Sequence, residues 1–178
     1  MTFGIRPKGP ETAYGYIRSS PIEGSDGVRQ VVQFVEKPDR ETAERFLESG
    51  DYLWNAGIFV FAAETLLKEA ERYLPETLAA CFASLDLAKS DLDFLRLDAG
   101  AFAEAEDVSL DYGIMERTEH AAVLPADFAW SDLGSWDSVW SELGPDAARN
   151  SAVGDVMAVD CNGCLFHSPK RLVAGLGL

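Results

Sequence analysis

Residues 34–61 read FVEKPDRETAERFLESGDYLWNAGIFVF, and the stretch divides into strand, helix and strand. Val31 to Val35 is a short β-branched run that stops at Glu36-Lys37-Pro38, because proline has no N–H to give to a sheet ladder. Glu36 and Lys37 are thereby left at the carboxyl end of a strand. Asp39 is placed to cap the following helix, in which Ala43, Phe46 and Leu47 share one face, and Gly50 is placed to close it. Asn55 then precedes a second strand, Ala56 to Phe61. In open α/β sheets the ligand sits in the crevice outside the carboxyl ends of strands, so Glu36 and Lys37 are the first candidates for a polar substrate. The alternative is an exposed ion pair at a strand end, which is worth little to stability.

Outward from this stretch, Glu64 to Tyr73, Pro75 to Ser84 and Ala88 to Leu97 read as helices of a scaffold, with Leu66, Leu67, Ala70 and Leu74 at helical spacing. A further helix starts near Ser109, where a serine cap and Asp111 in the first turn suit the helix dipole. Ala121 to Leu124 reads as a strand. The loop after it carries Trp130 and Asp132 to Ser135, which caps a helix containing Trp136, Val139 and Trp140. Taken alone, Asp132 is equally a turn residue that stabilises its own backbone. Cys161-Asn162-Gly163-Cys164, with His167 beyond it, raises a metal or redox site. A two-residue Asn-Gly hairpin with the cysteines on facing strands is the preferred reading, since a tetrahedral zinc site wants four ligands.

Composition narrows the classes. A chain of 178 residues with 47% hydrophobic content can bury a core, and no apolar run approaches the ~20 residues of a membrane span. With no leader of secretory type, a cytoplasmic location is expected. The formal net charge of −15 argues against nucleic acid or an anionic membrane as partner. A phosphorylated substrate must find local positive charge, and Arg6, Lys8, Arg18 and Lys37 are the basic residues nearest the informative segments.

Four ordered segments carry a family resemblance. FVEKP with WNAGIFVF resembles the sugar-nucleotidyltransferases, and among them the mannose-1-phosphate guanylyltransferases. Pro10 to Ile17, PETAYGYI, is similar to that family's PETGYGYI; Ser109 to Glu116, SLDYGIME, is similar to SIDYAVME; and Trp130 to Trp136, WSDLGSW, is similar to W-x-D-x-G-S-W. The family's opening G-x-G-x-R-L loop, which grips the nucleotide, has no counterpart here. The resemblance therefore implies an α/β chain: part of a Rossmann-like nucleotidyltransferase fold with a mixed sheet, without its nucleotide-binding N-terminal half. Residues 1–150 would be the later portion of the catalytic domain, and 151–178 the start of a β-rich C-terminal region.

The same resemblance implies transfer of a guanylyl group from GTP to mannose-1-phosphate, giving GDP-mannose and pyrophosphate. It assigns Lys37 to the sugar phosphate and Asp132 to the catalytic magnesium, these two being the candidate catalytic residues. It places Gly15, Glu36, Asn55 and Asp111 around the sugar. Mg²⁺ takes one or two carboxylates plus substrate phosphates, so a single aspartate is a sensible contribution from one half. Three other expectations stand beside this one. They are a non-catalytic sugar-phosphate-binding or assembly module, a nucleotidyltransferase for another hexose-1-phosphate, and association as a homo-oligomer or through an exposed sheet edge.

Overall fold

The strand ending at Glu36 is β3, Arg29–Val35, and its burial does not alternate. Val31 and Phe34, three residues apart, both enter the core. A bulge explains it: Arg18 of β2 (Tyr16–Pro21) faces Gln33 while Ser19 faces Val31, so Val32 is the extra residue and is pushed out to solvent. The computed structural model describes residues 1–178, in two compact units, Met1–Phe128 and Ala129–Leu178.

In the first unit, β1 (Thr2–Ile5), β4 (Tyr52–Phe59), β2, β3 and β7 (Ala122–Ala126) form a closed ring in that order. The sheet is mixed, because β1 and β7 run parallel while the other neighbours are antiparallel. Val123 faces both Thr2 and Arg29, so β7 pairs on each side and closes the ring. The expected open sheet edge is therefore absent from this ring. Ile17, Val31, Phe34, Met115, Ala121 and Val123 form its core, with Leu53 and Phe59 packed against it. Burial of such side chains is worth about 1.5–3 kcal/mol each, before the entropy of ordering them.

Helix α1, Arg40–Ser49, has the ends its sequence asks for. Asp39 accepts the Thr42 N–H at 2.8 Å, and Gly50 stops the helix in the left-handed region at φ 71°. Its Phe46 lies against buried Tyr16 and stacks on Tyr52 at 3.9 Å between ring centroids. Helices α2 (Ala63–Tyr73) and α3 (Pro75–Asp86) follow as expected from their periodicity.

Residues 88–97 are not helical. They form a hairpin, β5 (Lys89–Asp91) and β6 (Phe94–Arg96), turned at Leu92 with φ 54° and closed by an Asp91–Arg96 ion pair. Leucine spacing there imitated a helix while the cross-strand pairs decided the outcome. A short helix, α4 (Ala99–Phe102), is capped by Asp98. No helix is long and apolar enough to cross a membrane.

In the second unit, Ser135 caps α5 (Trp136–Glu142), its hydroxyl accepting the Ser138 N–H at 3.1 Å. The expected hairpin beyond it is corrected: β8 (Ser151–Val159) and β9 (Leu165–Leu176) pair in parallel. Ser151 faces Leu165 and Val159 faces Leu176, which is the register of a coil rather than of a hairpin. Asn150 sets the bend, donating to the Cys161 carbonyl at 2.8 Å and accepting the Cys164 N–H at 3.0 Å. Both cysteines are free thiols, Cys161 buried within the bend.

The Asp39 carboxyl is held below its ordinary value, chiefly by the Thr42 N–H. A depressed carboxyl adds stability that is present above its unfolded value and lost as pH falls through the folded one. Asp39→Ala is expected to lower the melting temperature by a few degrees at neutral pH. The gap to the unaltered chain should close in strong acid; a gap independent of pH would contradict the cap.

Candidate functional site

The second informative strand, β4, starts earlier than its sequence suggests, so Asn55 lies within it rather than before it. Its pairing with β1 is interrupted. Gly4 faces Asn55 but Thr2 faces Phe59, so residues 56–58 form a bulge opposite Phe3 in which Ala56 stays buried while Gly57 and Ile58 are exposed. Gly57 makes the bulge possible by adopting φ 69°, which side-chain-bearing residues resist. Its N–H turns back to Asn55 Oδ1 at 3.2 Å. The Thr2 hydroxyl donates to the same oxygen at 2.9 Å, and Asn55 Nδ2 donates to Asp111 Oδ1 at 3.0 Å.

Asp111 opens a π-helical turn, Asp111–Met115, closed by the Glu116 N–H on the Asp111 carbonyl at 3.0 Å. An ordinary helix was expected from Ser109. The Ser109 hydroxyl does accept the Tyr112 N–H, at 3.4 Å, but the turn is wider. Gly113 is pressed on Leu74, whose Cδ1 is 2.7 Å from where a Cβ would stand. Single π turns are rare and frequent at functional sites.

Gly15 joins the two strand ends. Its carbonyl accepts the Asn55 N–H at 2.7 Å, and the neighbouring Tyr14 carbonyl accepts the Lys37 N–H at 3.2 Å. A Cβ on Gly15 would lie 2.5 Å from Glu36 Oε2, 3.1 Å from Asn55 Cβ and 3.3 Å from the Phe34 ring. Only glycine leaves the Glu36 carboxylate where it is. The Glu36 N–H in turn donates to Glu116 Oε1 at 2.9 Å.

Lys37 stands in the left-handed region at φ 48°, a strain of about 1–2 kcal/mol for a residue with a side chain. The strain aims the lysine outward: its side chain is 56% exposed and that of Glu36 only 9%, with Nζ 3.8 Å from Glu36 Oε1.

Five of the six expected site residues, Gly15, Glu36, Lys37, Asn55 and Asp111, are thus linked on the first unit. The sixth, Asp132, is on the second unit, and Gly134 leaves room for its carboxylate, since a Cβ there would come within contact of Oδ2. No cluster of three or more metal-ligating side chains occurs.

Sequence reasoning missed Thr2 and Glu116. Both carry a signal in retrospect: Thr2 is a hydroxyl in the largely buried strand TFGI, and Glu116 ends the SLDYGIME segment. Arg6 and Arg18, expected as local positive charge, line a separate cavity of about 1250 Å³ on the same unit, together with Arg29. Within the cluster Lys37 is the cation that an ion pair ties to a carboxylate, that of Glu36.

Residues 1–147 match the nucleotidyl transferase family, and the chain belongs to that family. Within it, the chain is 41% identical over 178 residues to the mannose-1-phosphate guanylyltransferase RfbM of Salmonella typhimurium, and 41% over 179 residues to the alginate biosynthesis protein AlgA of Pseudomonas syringae pv. tomato. All of this chain is covered, but only 37% of either relative. Among solved structures it is similar to a protein described as mannose-1-phosphate geranyltransferase from Thermus thermophilus, with 34% identity and a TM-score of 0.77 over 99% of this chain and 50% of that one. A structure described as mannose-6-phosphate isomerase from Helicobacter pylori gives 30% identity and a TM-score of 0.65 over 74% of this chain and 50% of that one.

Asn55→Asp would set two carboxylates 3.0 Å apart, where they cannot both ionise freely. One of them gains a raised folded pKa, so the damage is absent in acid and grows as pH rises past the ordinary carboxylate range. Thermal melts from about pH 4 to about pH 8 should show the variant falling progressively behind the unaltered chain. A constant gap would mean that Asn55 and Asp111 are not coupled.

Proposed function

We propose that the cluster at Gly15, Glu36, Lys37, Asn55 and Asp111 binds a hexose 1-phosphate, and that the chain is the sugar-phosphate-binding part of a mannose-1-phosphate guanylyltransferase. The observation that carries this reading is the juxtaposition of acceptor-rich carboxylates with one aimed lysine. Ionised carboxylates only accept hydrogen bonds, so they suit the hydroxyl hydrogens of a sugar. The Lys37 ammonium is a compact cation suited to the phosphate. Gly15 serves the sugar indirectly, because a side chain there would displace the Glu36 carboxylate. The names of the relatives at 41% identity support mannose as the sugar and guanylyl as the group transferred. In this reading residues 1–150 belong to the catalytic domain and 151–178 begin a β-rich region. GTP is the second substrate and the location is cytoplasmic.

The reaction joins the sugar 1-phosphate oxygen to the α-phosphorus of GTP and breaks the bond to the pyrophosphate that leaves. No covalent enzyme intermediate is needed, so the protein contributes position and charge neutralisation. Lys37 holds the attacking phosphate in place. Glu36 and Asp111 fix the sugar through its hydroxyls. Asp132 has the donor chemistry to hold a divalent cation, assigned as Mg²⁺, which when bound would neutralise phosphate charge.

The test is a calorimetric titration of mannose-1-phosphate, with glucose-1-phosphate beside it, into the unaltered chain and Lys37→Ala. Saturable binding that prefers mannose is expected, weakened about tenfold or more in Lys37→Ala, which loses a charge-assisted contact. The melting temperature should be nearly unchanged, since Lys37 is largely exposed. Equal affinity in both chains would assign the phosphate elsewhere, and a preference for glucose would change the sugar.

A further inference from the structure

The hydrogen bonds around Asn55 have a direction, and the direction limits what this side chain can offer a ligand. A carboxamide oxygen has two lone pairs. Asn55 Oδ1 uses both, on the Gly57 N–H at 3.2 Å and on the Thr2 hydroxyl at 2.9 Å. Of the two Nδ2 hydrogens, one goes to Asp111 Oδ1 at 3.0 Å and the other has no protein partner. The reversed amide would set an NH₂ group against the Gly57 N–H and an oxygen against a carboxylate, two repulsions in place of two bonds. The fully buried Thr2 hydroxyl has one hydrogen and two acceptors within reach, Asn55 Oδ1 at 2.9 Å and the Ile58 carbonyl at 3.1 Å, and the shorter contact is the one to Asn55.

We infer that Thr2 is a positioning residue that makes Asn55 a donor-only contact. The cluster then has a fixed polarity. Asn55 gives one N–H to an oxygen of the ligand that accepts, such as a hydroxyl, ring or phosphate oxygen. Hydroxyl hydrogens go to the carboxylates of Glu36 and Asp111. A ligand whose group at Asn55 can only donate is rejected, because no lone pair is left to receive it. The ligand class rests on the sugar-phosphate reading above, while the orientation of Asn55 does not.

Thr2→Val keeps the shape of the side chain and removes the donor, and Thr2→Ser keeps the donor. In the 178-residue chain, nuclear magnetic resonance can follow solvent exchange of the Asn55 side-chain amide without any ligand. Thr2→Val is expected to speed that exchange about tenfold and to weaken mannose-1-phosphate binding about tenfold, the equivalent of one lost hydrogen bond. Thr2→Ser is expected to restore both. A folded Thr2→Val chain with unchanged Asn55 exchange overturns the inference.

If Thr2→Val does not fold, the Thr2 hydroxyl proton of the unaltered chain decides: a slowly exchanging proton with a cross-peak to Asn55 supports the role, and a freely exchanging one overturns it. If the unaltered chain binds no mannose-1-phosphate, the sugar-phosphate reading fails, and the amide exchange still settles the role of Thr2.

Discussion

The interruption of the β1–β4 ladder is the constraint on which the site depends. Had the pairing continued, residues 56–58 would lie flat in the sheet, and Asn55 would have no local donor to fix the direction of its oxygen. The left-handed Gly57 takes up the excess chain, and its N–H begins the network that runs from Thr2 through Asn55 to Asp111. The two ends of that network come from opposite sides of the sequence. Thr2 lies on the first strand, and Asp111 on a π turn that is itself pressed against Leu74. A change in how α2 and α3 pack would therefore reach Asp111 through Gly113.

Charge sets the second condition. The cluster joins the carboxylates of Glu36, Asp111 and Glu116 in a chain already at −15, so in the proposed reading a phosphate needs the positive charge of Lys37. The strained backbone at Lys37 is best understood in that light. It costs about 1–2 kcal/mol and leaves the Lys37 side chain exposed beside the largely buried Glu36 carboxylate, where in the proposed reading it meets the phosphate. In the proposed reading, Asp132 would need ligand oxygens to complete a cation site.

Much of this was legible in sequence because local rules and tertiary packing agreed. Pro38, Asp39 and Gly50 marked the end of β3 and both ends of α1, each by a backbone property independent of distant contacts. The four family segments located Gly15, Glu36, Lys37, Asn55, Asp111 and Asp132. What was not legible depended on long-range pairing. Val32 and residues 56–58 look like ordinary strand, and only their partners on β2 and β1 turn them into bulges. Ring closure by β7 and the parallel β8–β9 pair have the same cause, since their partners lie far along the chain, whereas the hairpin at 89–96 is local and was hidden because its leucine spacing imitates a helix. Asn162-Gly163 did mark a turn. It did not mark the direction in which the next strand would run.

The most direct measurement is residue-resolved chemical-shift mapping of mannose-1-phosphate on the isotope-labelled chain. Shifts concentrated at Gly15, Glu36, Lys37, the Asn55 side chain and Asp111 are the predicted result. Shifts centred instead on Arg6, Arg18 and Arg29, around the 1250 Å³ cavity, would contradict it and move the phosphate site to the arginine-lined face of the same unit.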